Sequence, residues 1–344
     1  MAFTDIDKPS DYFNTVLWTG NGSGATISGV GFQPDWVWEK SRSANYNHNL
    51  IDSVRGANKV LESNNDEKQA TKDNTLMAFN SDGFVHGNNA GWANDGSTFV
   101  AWNWKAGTAL NNSAGANGGS IATTGSISTT SGFGIVQHEG SGSNATIYHG
   151  LGKIPKLIIT KNIDQNFHWS VYSFTSNTTI LRLNGINTPA SETAFQSTHP
   201  TATVQSLGDH NQNNGSGDAH ISYMFCDVQG YQKVGLYKGG GSVFPFIFTG
   251  FKPAFTLFKN ISSNSEWFLY DNKRPGFNRI RSVFEANSNS IEDSSSDTSI
   301  DYLSNGFKIR TANGNVNTDG DTYIYLAIAE NPFVTSTGVP ATAR

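Results

Sequence analysis

The feature that most limits what this chain can fold into is a phrase that it writes three times. Phe32-Gln-Pro34-Asp-Trp-Val-Trp-Glu-Lys40 matches Lys153-Ile-Pro155-Lys-Leu-Ile-Ile-Thr-Lys161, and both match Phe251-Lys-Pro253-Ala-Phe-Thr-Leu-Phe-Lys259. In each copy a lysine follows a proline across an aromatic or aliphatic run. A glycine turn precedes each phrase, at Gly20, Gly140 and Gly239. Downstream, Asp52 and Arg55 in the first copy answer Asp271 and Arg274 in the third, whereas the middle copy has Tyr172 near that place and lacks the pair. Closing runs at Thr98–Trp102, His220–Met224 and Thr322–Leu326 complete the match. A repeat of this length is one structural unit used three times.

Within each unit the apolar runs are short and bounded by Gly, Asn, Asp or Pro, which is the pattern of strands in a sandwich or barrel. Side chains alternate faces along a strand, so Phe255, Leu257 and Lys259 share one face and the three lysines fall at strand ends. The expectation is an all-β protein of three tandem jelly-roll-like β-sandwich domains at 13–107, 131–230 and 231–336, each with its own core. An N-terminal arm (1–12), a Gly/Ser/Thr-rich linker (108–130) and a C-terminal tail (337–344) complete the division. Asn58 to Leu61 with Glu67 to Thr71 is a candidate helix without a sustained amphipathic period.

Composition agrees with strands and excludes several classes of function. Charged residues are only 15% of the chain, against roughly 25% in an average protein; Asn, Ser, Thr and Gly carry the polarity and suit turns and sheet surfaces. The formal net charge of −5 argues against a phosphate-binding footprint. No apolar run approaches the length of a membrane span, and the polar, acidic start shows no secretory leader. Cys226 stands alone in an apolar run, so the expectation is a buried structural thiol.

A search for chemistry returns architecture. Asp52 with Asp35, or Asp271 with Glu266, would supply two carboxylates for glycoside hydrolysis, but a repeated Asp-x-x-Arg reads more simply as an ion pair or turn lock. Pro34, Lys40, Asp52, Arg55, Pro155, Lys161, Pro253, Lys259, Asp271 and Arg274 are therefore taken as a structural repeat motif. The eight histidines are scattered, and Asp209-His-Asn211-Gln-Asn213 lacks the Gly and Glu of a calcium loop. No catalytic residue, metal site or cofactor is expected. Trp36, Trp38, Trp102 and Trp104 read as core. Trp92, Tyr46 and His48, in loop-like stretches, are the glycan-binding candidates, since rings stack on the apolar faces of sugars.

Trp18–Gly22, Gly29–Asp35, Asp52–Gly56 and Ser81–Phe84 resemble a repeat module of marine tailed bacteriophages, and Tyr323–Phe333 with Gly338 and Arg344 is similar to that family's C-terminus. The resemblance covers nearly the whole chain. It implies a non-enzymatic virion structural protein, assembled in the host cytoplasm: a tail fibre or spike module contacting the host surface, with a head decoration or capsid-fibre protein and a glycan depolymerase as alternatives. The partners it implies are other virion proteins and a host surface glycan or receptor, with no nucleic acid and no membrane insertion. A homotrimer is expected by analogy with phage fibres. The arm, with Phe3, Ile6 and Tyr12, is expected to gain order by docking on another chain.

Overall fold

The computed structural model describes residues 4–295 and 297–341. Among them, helix is confined to a 3-10 turn at Pro9–Asp11 and three single-turn helices, α1 (Ala90–Ala93), α2 (Asn211–Asn214) and α3 (Gly314–Asn317). The fold is an all-β sandwich.

The first unit contributes β1 (Phe13–Thr19), β2 (Ala25–Ile27), β3 (Trp36–Ser41), β4 (Asn49–Asp52), β5 (Lys59–Val60), β6 (Ala70–Thr71), β7 (Leu76–Asn80), β8 (Gly83–His86) and β9 (Thr98–Trp104). β10 (Thr108–Asn112) and β11 (Thr123–Ser128) follow. The second unit contributes β12 (Phe133–Glu139), β13 (Ala145–Tyr148), β14 (Pro155–Asn162), β15 (Ser170–Ser173), β16 (Ser176–Arg182), β17 (Ala190–Ser191), β18 (Val204–Leu207) and β19 (Ala219–Cys226). The third contributes β20 (Gln232–Lys238), β21 (Phe246–Phe248), β22 (Phe251–Asn260), β23 (Trp267–Asp271), β24 (Phe284–Glu285), β25 (Ile300–Leu303), β26 (Gly306–Ile309) and β27 (Thr322–Pro332).

One antiparallel order recurs: β1-β9-β3-β4, β12-β19-β14-β15 and β20-β27-β22-β23. Smaller sheets accompany these, β2-β8-β7, β13-β18 and β21-β26-β25. Register fixes which residues are equivalent. Lys40, Lys161 and Lys259 stand opposite Val100, Ile221 and Ile324, so the closing strands align from Thr98, Ala219 and Thr322. An alignment that starts the middle one at His220 is one residue late, and with a period of two that slip exchanges the faces. Trp36 and Phe255 oppose Asp52 and Asp271, while Leu157 opposes Ser173. Ser173, not Tyr172, therefore holds the aspartate position in the middle unit. Tyr172 lies in that unit's own core, its hydroxyl 2.6 Å from Nδ1 of His199.

Each Pro–Lys strand is covered on both faces. Val37, Ala101 and Ile51 pack inside the first sandwich with Phe84 and Leu76, whereas Trp36, Trp38, Trp102 and Trp104 turn the other way. The second unit divides likewise, with Val136, Ile158 and Met224 inside and Ile135, Leu157, Ile159 and Tyr223 outward. The outward faces of all three units meet in one core, where the Trp36 ring stacks on Tyr223 at 4.2 Å and Phe13 packs on Phe255 at 5.5 Å. The expectation of a separate core in each unit is thus amended. A unit alone would expose these aromatics, and burying each contributes on the order of 1.5–3 kcal/mol.

Three segments depart from the sequence reading. Residues 108–130 are no free linker: β10 and β11 form a hairpin that joins the second unit's sheet along β12 and buries Leu110 and Ile127. Its Thr and Ser residues suit an edge position, where one face is wet. The arm docks within its own chain. Ile6 is buried in the shared core, Thr4 Oγ1 donates to Gln229 O at 3.2 Å, and Tyr12 packs edge-on against Tyr231. A few apolar side chains suffice to tie it down once a core lies within reach; Met1 to Phe3 lie outside the described residues, as do residues 342–344 of the tail. The candidate helix near Asn58 is instead the short β5–β6 pair.

Candidate functional site: the seams between the units

The repeat motif points at neighbouring units. His48, Trp169 and Trp267 occupy one equivalent position, four residues before Asp52, Ser173 and Asp271. Each reaches a backbone carbonyl of another unit: His48 Nε2 lies 3.1 Å from Glu285 O, and the indoles of Trp169 and Trp267 donate to Glu62 O and Arg182 O, both at 2.9 Å. The first unit holds the third, the third holds the second and the second holds the first, a closed cycle. The backbones of these residues are fixed alike, donating to Asn64, Asn184 and Asn287 Oδ1. Main-chain bonds cross the same seams, Gln69 N to Ile163 O at 3.1 Å, Ser265 N to Ile186 O at 2.9 Å and Glu292 N to Arg42 O at 2.9 Å. The geometry is pseudo-threefold closure within one polypeptide.

The Asp-x-x-Arg pairs sit inside two of these seams. Asp52 Oδ1 caps its own turn by accepting from Val54 N and Arg55 N, and Oδ2 meets Arg55 Nε at 2.5 Å. Oδ2 also accepts from the Tyr223 hydroxyl of the second unit at 2.7 Å. Asp271 repeats the arrangement with Arg274 at 2.5 Å and the Trp102 indole of the first unit at 3.0 Å. Burial disfavours both charged guanidiniums, but the aspartates beside them outweigh it and raise their pKa above the ordinary value. Trp102 and Tyr223 are equivalent positions on closing strands, each reading the next unit's aspartate.

The lysines are buried as well. Lys40 Nζ donates to Ser41 O at 2.8 Å and lies 5.2 Å from the Phe284 ring of the third unit. Lys161 donates to Asn162 O and, across a seam, to Asp66 O; Lys259 donates to Ser265 O and, across another, to Ile186 O. Burial lowers all three amines to about 8.

The repeated glycine has an equally local cause. A Cβ on Gly20, Gly140 or Gly239 would fall 2.3, 2.2 or 2.0 Å from the carbonyl oxygen of Asn94, Gly215 or Thr318. Those carbonyls end α1, α2 and α3. The helices are also held by a ring-bearing residue of the first strand: Trp18 Nε1, His138 Nε2 and Tyr237 Oη meet the carbonyls of Trp92, Asn213 and Val316 at 2.9, 3.0 and 2.9 Å. The same rings stack on Phe99, His220 and Tyr323 at 5.4, 5.0 and 4.7 Å. No sequence motif marks this post, because three chemistries fill one place; the common spacing ahead of the glycine is its signal.

The glycan candidates do not form a binding face. Trp92 is fully buried in α1 among Trp18, Phe84 and His86, and His48 is buried between Trp38 and the third unit. Tyr46 alone is partly exposed. Short runs of Asn, Ser and Gly around Trp92 and His48 made them look superficial, whereas tertiary packing covers both. The carboxylates considered for hydrolysis are also engaged: Asp35 accepts from Ser53 Oγ at 2.7 Å and Ala106 N at 2.8 Å, and Glu266 accepts from Asn287. Asp209–Asn213 leads into α2, and Asn315–Asp321 holds the end of α3, the equivalent helix. Among the described residues no group of three His, Cys, Asp or Glu side chains is placed to hold a metal ion. Cys226 is buried, and burial pushes its thiol up to about 12. Mixed with a disulfide reagent at pH 8, the folded protein is expected to react at least about a hundredfold more slowly than the urea-unfolded chain; equal rates would show an accessible thiolate.

Open surface lies elsewhere. A groove of mixed lining, 680 Å³, runs along the hairpin past Asn111, Ala114, Ile121, Thr124, Gln137 and Ser141. A second, of 440 Å³, opens at the seam of the second and third units beside His168, Arg182, Asn184, Glu266, Glu285 and Asn287.

The fold defines an all-β sandwich protein in which one strand order recurs three times. The sequence matches the family described as "Domain of unknown function (DUF7483)" over residues 8–332, and the chain belongs to that family. The match spans all three units and the hairpin together. No curated protein matches the sequence.

Proposed function

We propose that this protein is a non-enzymatic structural component of a phage particle, a tail fibre or spike module that meets the host surface. The observation that carries the reading is the use made of the repeated charged residues: Lys40, Asp52, Arg55, Lys161, Lys259, Asp271 and Arg274 all serve buried bonds, most of them across or beside the seams. Their chemistry is spent on holding three sandwiches together. The resemblance to phage repeat modules supplies the particle. Gold-labelled antibody on intact virions is expected to mark the tail. Label on the head would favour the decoration reading, and unlabelled particles would overturn both. New reducing ends after incubation with host polysaccharide would replace the binder with a depolymerase.

The homotrimer loses its physical basis in the arm, which is already docked in cis. Threefold closure is supplied by three units of one chain, so light scattering is expected to return 37.1 kDa; three times that mass would restore the trimer.

A further inference from the structure

The pseudo-threefold relation matches a sheet edge that is filled in the second unit with edges that stay open in the first and third. In the second unit, the space between the first strand, β12, and the first strand of the small sheet, β13, is closed by the hairpin. β11 pairs along β12 from Thr124 opposite Gln137 to Ser128 opposite Phe133, and Ile121 bridges to Ile147 in β13. In the third unit the equivalent strands are β20 and β21. Each ends its sheet: β20 pairs with β27 alone and β21 with β26 alone. Between them lies a groove of 380 Å³ lined by Lys233, Leu236, Phe246, Phe248 and Tyr325.

Exposed apolar side chains line this groove together with lysines and main chain. Leu236 is 42% accessible, Phe246 45%, Phe248 52% and the neighbouring Val243 69%. In the first unit Leu17, at the position of Leu236, is as exposed, but β2 (Ala25-Thr26-Ile27) carries no exposed large apolar side chain to match Phe246 and Phe248. Part of the backbone is available too. Val234 turns its N–H outward, where Asp227 Oδ1 already accepts it at 2.8 Å, so the open positions begin at Leu236. In an antiparallel ladder, inward and outward residues alternate, so Leu236 also turns its N–H and C=O away from β27. Exposed apolar edges are pairing templates. Two lysines flank this one: Lys233 Nζ donates to Phe248 O and Lys238 Nζ to Gly320 O, and neither forms an ion pair among the described residues.

We propose that the β20–β21 edge is a docking site for an extended strand of a different polypeptide, seated as β11 is seated on β12. The occupant has apolar side chains at alternate positions, for Leu236, Phe246 and Phe248, and acidic residues at its ends, for Lys233 and Lys238. Main-chain bonds give such pairing its affinity and the alternate side chains its selectivity. Edge lysines are also a device that discourages a strand from pairing with its own copy, which favours a foreign strand over a second molecule of this chain. The inference holds whatever particle the protein serves.

The test uses the full chain and a fluorescein-labelled synthetic peptide of about nine residues, alternating Val and Thr with Asp at each end. Anisotropy is expected to show saturable binding in the micromolar range, of order 10–100 μM, and hydrogen exchange is expected to slow at Val234–Lys238. The double substitution Phe246→Ser, Phe248→Ser is expected to weaken binding at least about tenfold. Leu236→Pro, which removes an outward N–H and is tolerated on an edge strand, is expected to do the same, with circular dichroism confirming that the variants remain folded. A peptide carrying Pro in place of the central Thr residues is expected not to bind. Absence of binding at about 1 mM, or equal binding by the Pro peptide or by the folded variants, would overturn the proposal. A dimer of the chain that Leu236→Pro dissociates would overturn the foreign strand in favour of a second copy.

Discussion

Lowering the pH from 7 to about 4.5 is expected to unfold this protein, with a loss of roughly 5–8 kcal/mol against a typical total of 5–15. The main cause is three buried histidines. Burial holds His138 down to about 3 and His149 to about 4, and places His48 well below its ordinary range. All three are neutral in the folded state, while the unfolded chain takes up protons below about 6.5. The unfolded state therefore binds more protons than the native state, and stability falls as the pH falls through the window from about 6.5 down to the folded pKa. For His138 and His149 this contributes on the order of 2–3 kcal/mol each, and His48, with His86 and His220, which burial also lowers, acts in the same direction. Glu39 and Glu285 oppose this, since burial raises their carboxyls, but they are two groups against five. Urea midpoints measured at intervals across the window check the prediction. A variant carrying His138→Tyr and His220→Tyr copies the Tyr237–Tyr323 stack of the third unit, removes two of these histidines and is expected to lose measurably less stability over the same window. A midpoint indifferent to pH over this range would show that these rings are not buried as described.

The threefold repeat was legible because its cause is local: a glycine under a helix carbonyl, a proline and lysine bounding a strand, an aspartate capping its own turn two and three residues on. Such devices recur at fixed spacing, and the sequence displays them. The joining of the units was not legible, because it is carried by residues whose types vary. Trp102, Tyr223 and Leu326 share one position, and His48, Trp169 and Trp267 share another. Equivalence there is geometric, and it emerges once register is known. The same blindness explains the misplaced glycan site. Trp92 and His48 lie among small polar residues, the usual setting of exposed loops, and only packing against α1's neighbours and the third unit buries them. The hairpin at 108–130 resembles a linker in sequence for a related reason: its strands are held by edge pairing and a few apolar side chains, Leu110, Ile121 and Ile127, too few to stand out from a linker of the same composition.

Breaking the buried pair in the first unit is expected to be costly, and copying it into the second unit equally so. Asp52 and Arg55 are almost wholly shielded, with side-chain exposures of 0% and 1%. Arg55→Met leaves the carboxylate buried with Tyr223 as its one remaining side-chain donor among the described residues, and the loss of one partner of a buried pair typically destabilises by about 3–5 kcal/mol. Tyr223→Phe removes a single bond to the same carboxylate and is expected to cost less, about 1–3 kcal/mol. Replacing both charges with Asp52→Leu and Arg55→Met is expected to recover most of the Arg55→Met loss, because no uncompensated charge remains. In the second unit the aspartate position is Ser173, the arginine position three residues on is Ser176, and the closing-strand residue equivalent to Tyr223 is Leu326, which is apolar and buried. The absence of the acid and the absence of a donor across the seam occur together. Ser173→Asp would place a buried carboxylate with no arginine at the equivalent position and one hydroxyl beside it, Thr175 Oγ1, the 2.6 Å partner of Ser173 Oγ, and is expected to cost about as much as Arg55→Met, which also leaves a carboxylate with one hydroxyl. Urea unfolding at pH 7 ranks the four variants: a Ser173→Asp protein as stable as the parent, or a double variant no better than Arg55→Met alone, would show that these positions are not the equivalent, buried seam sites that the register defines.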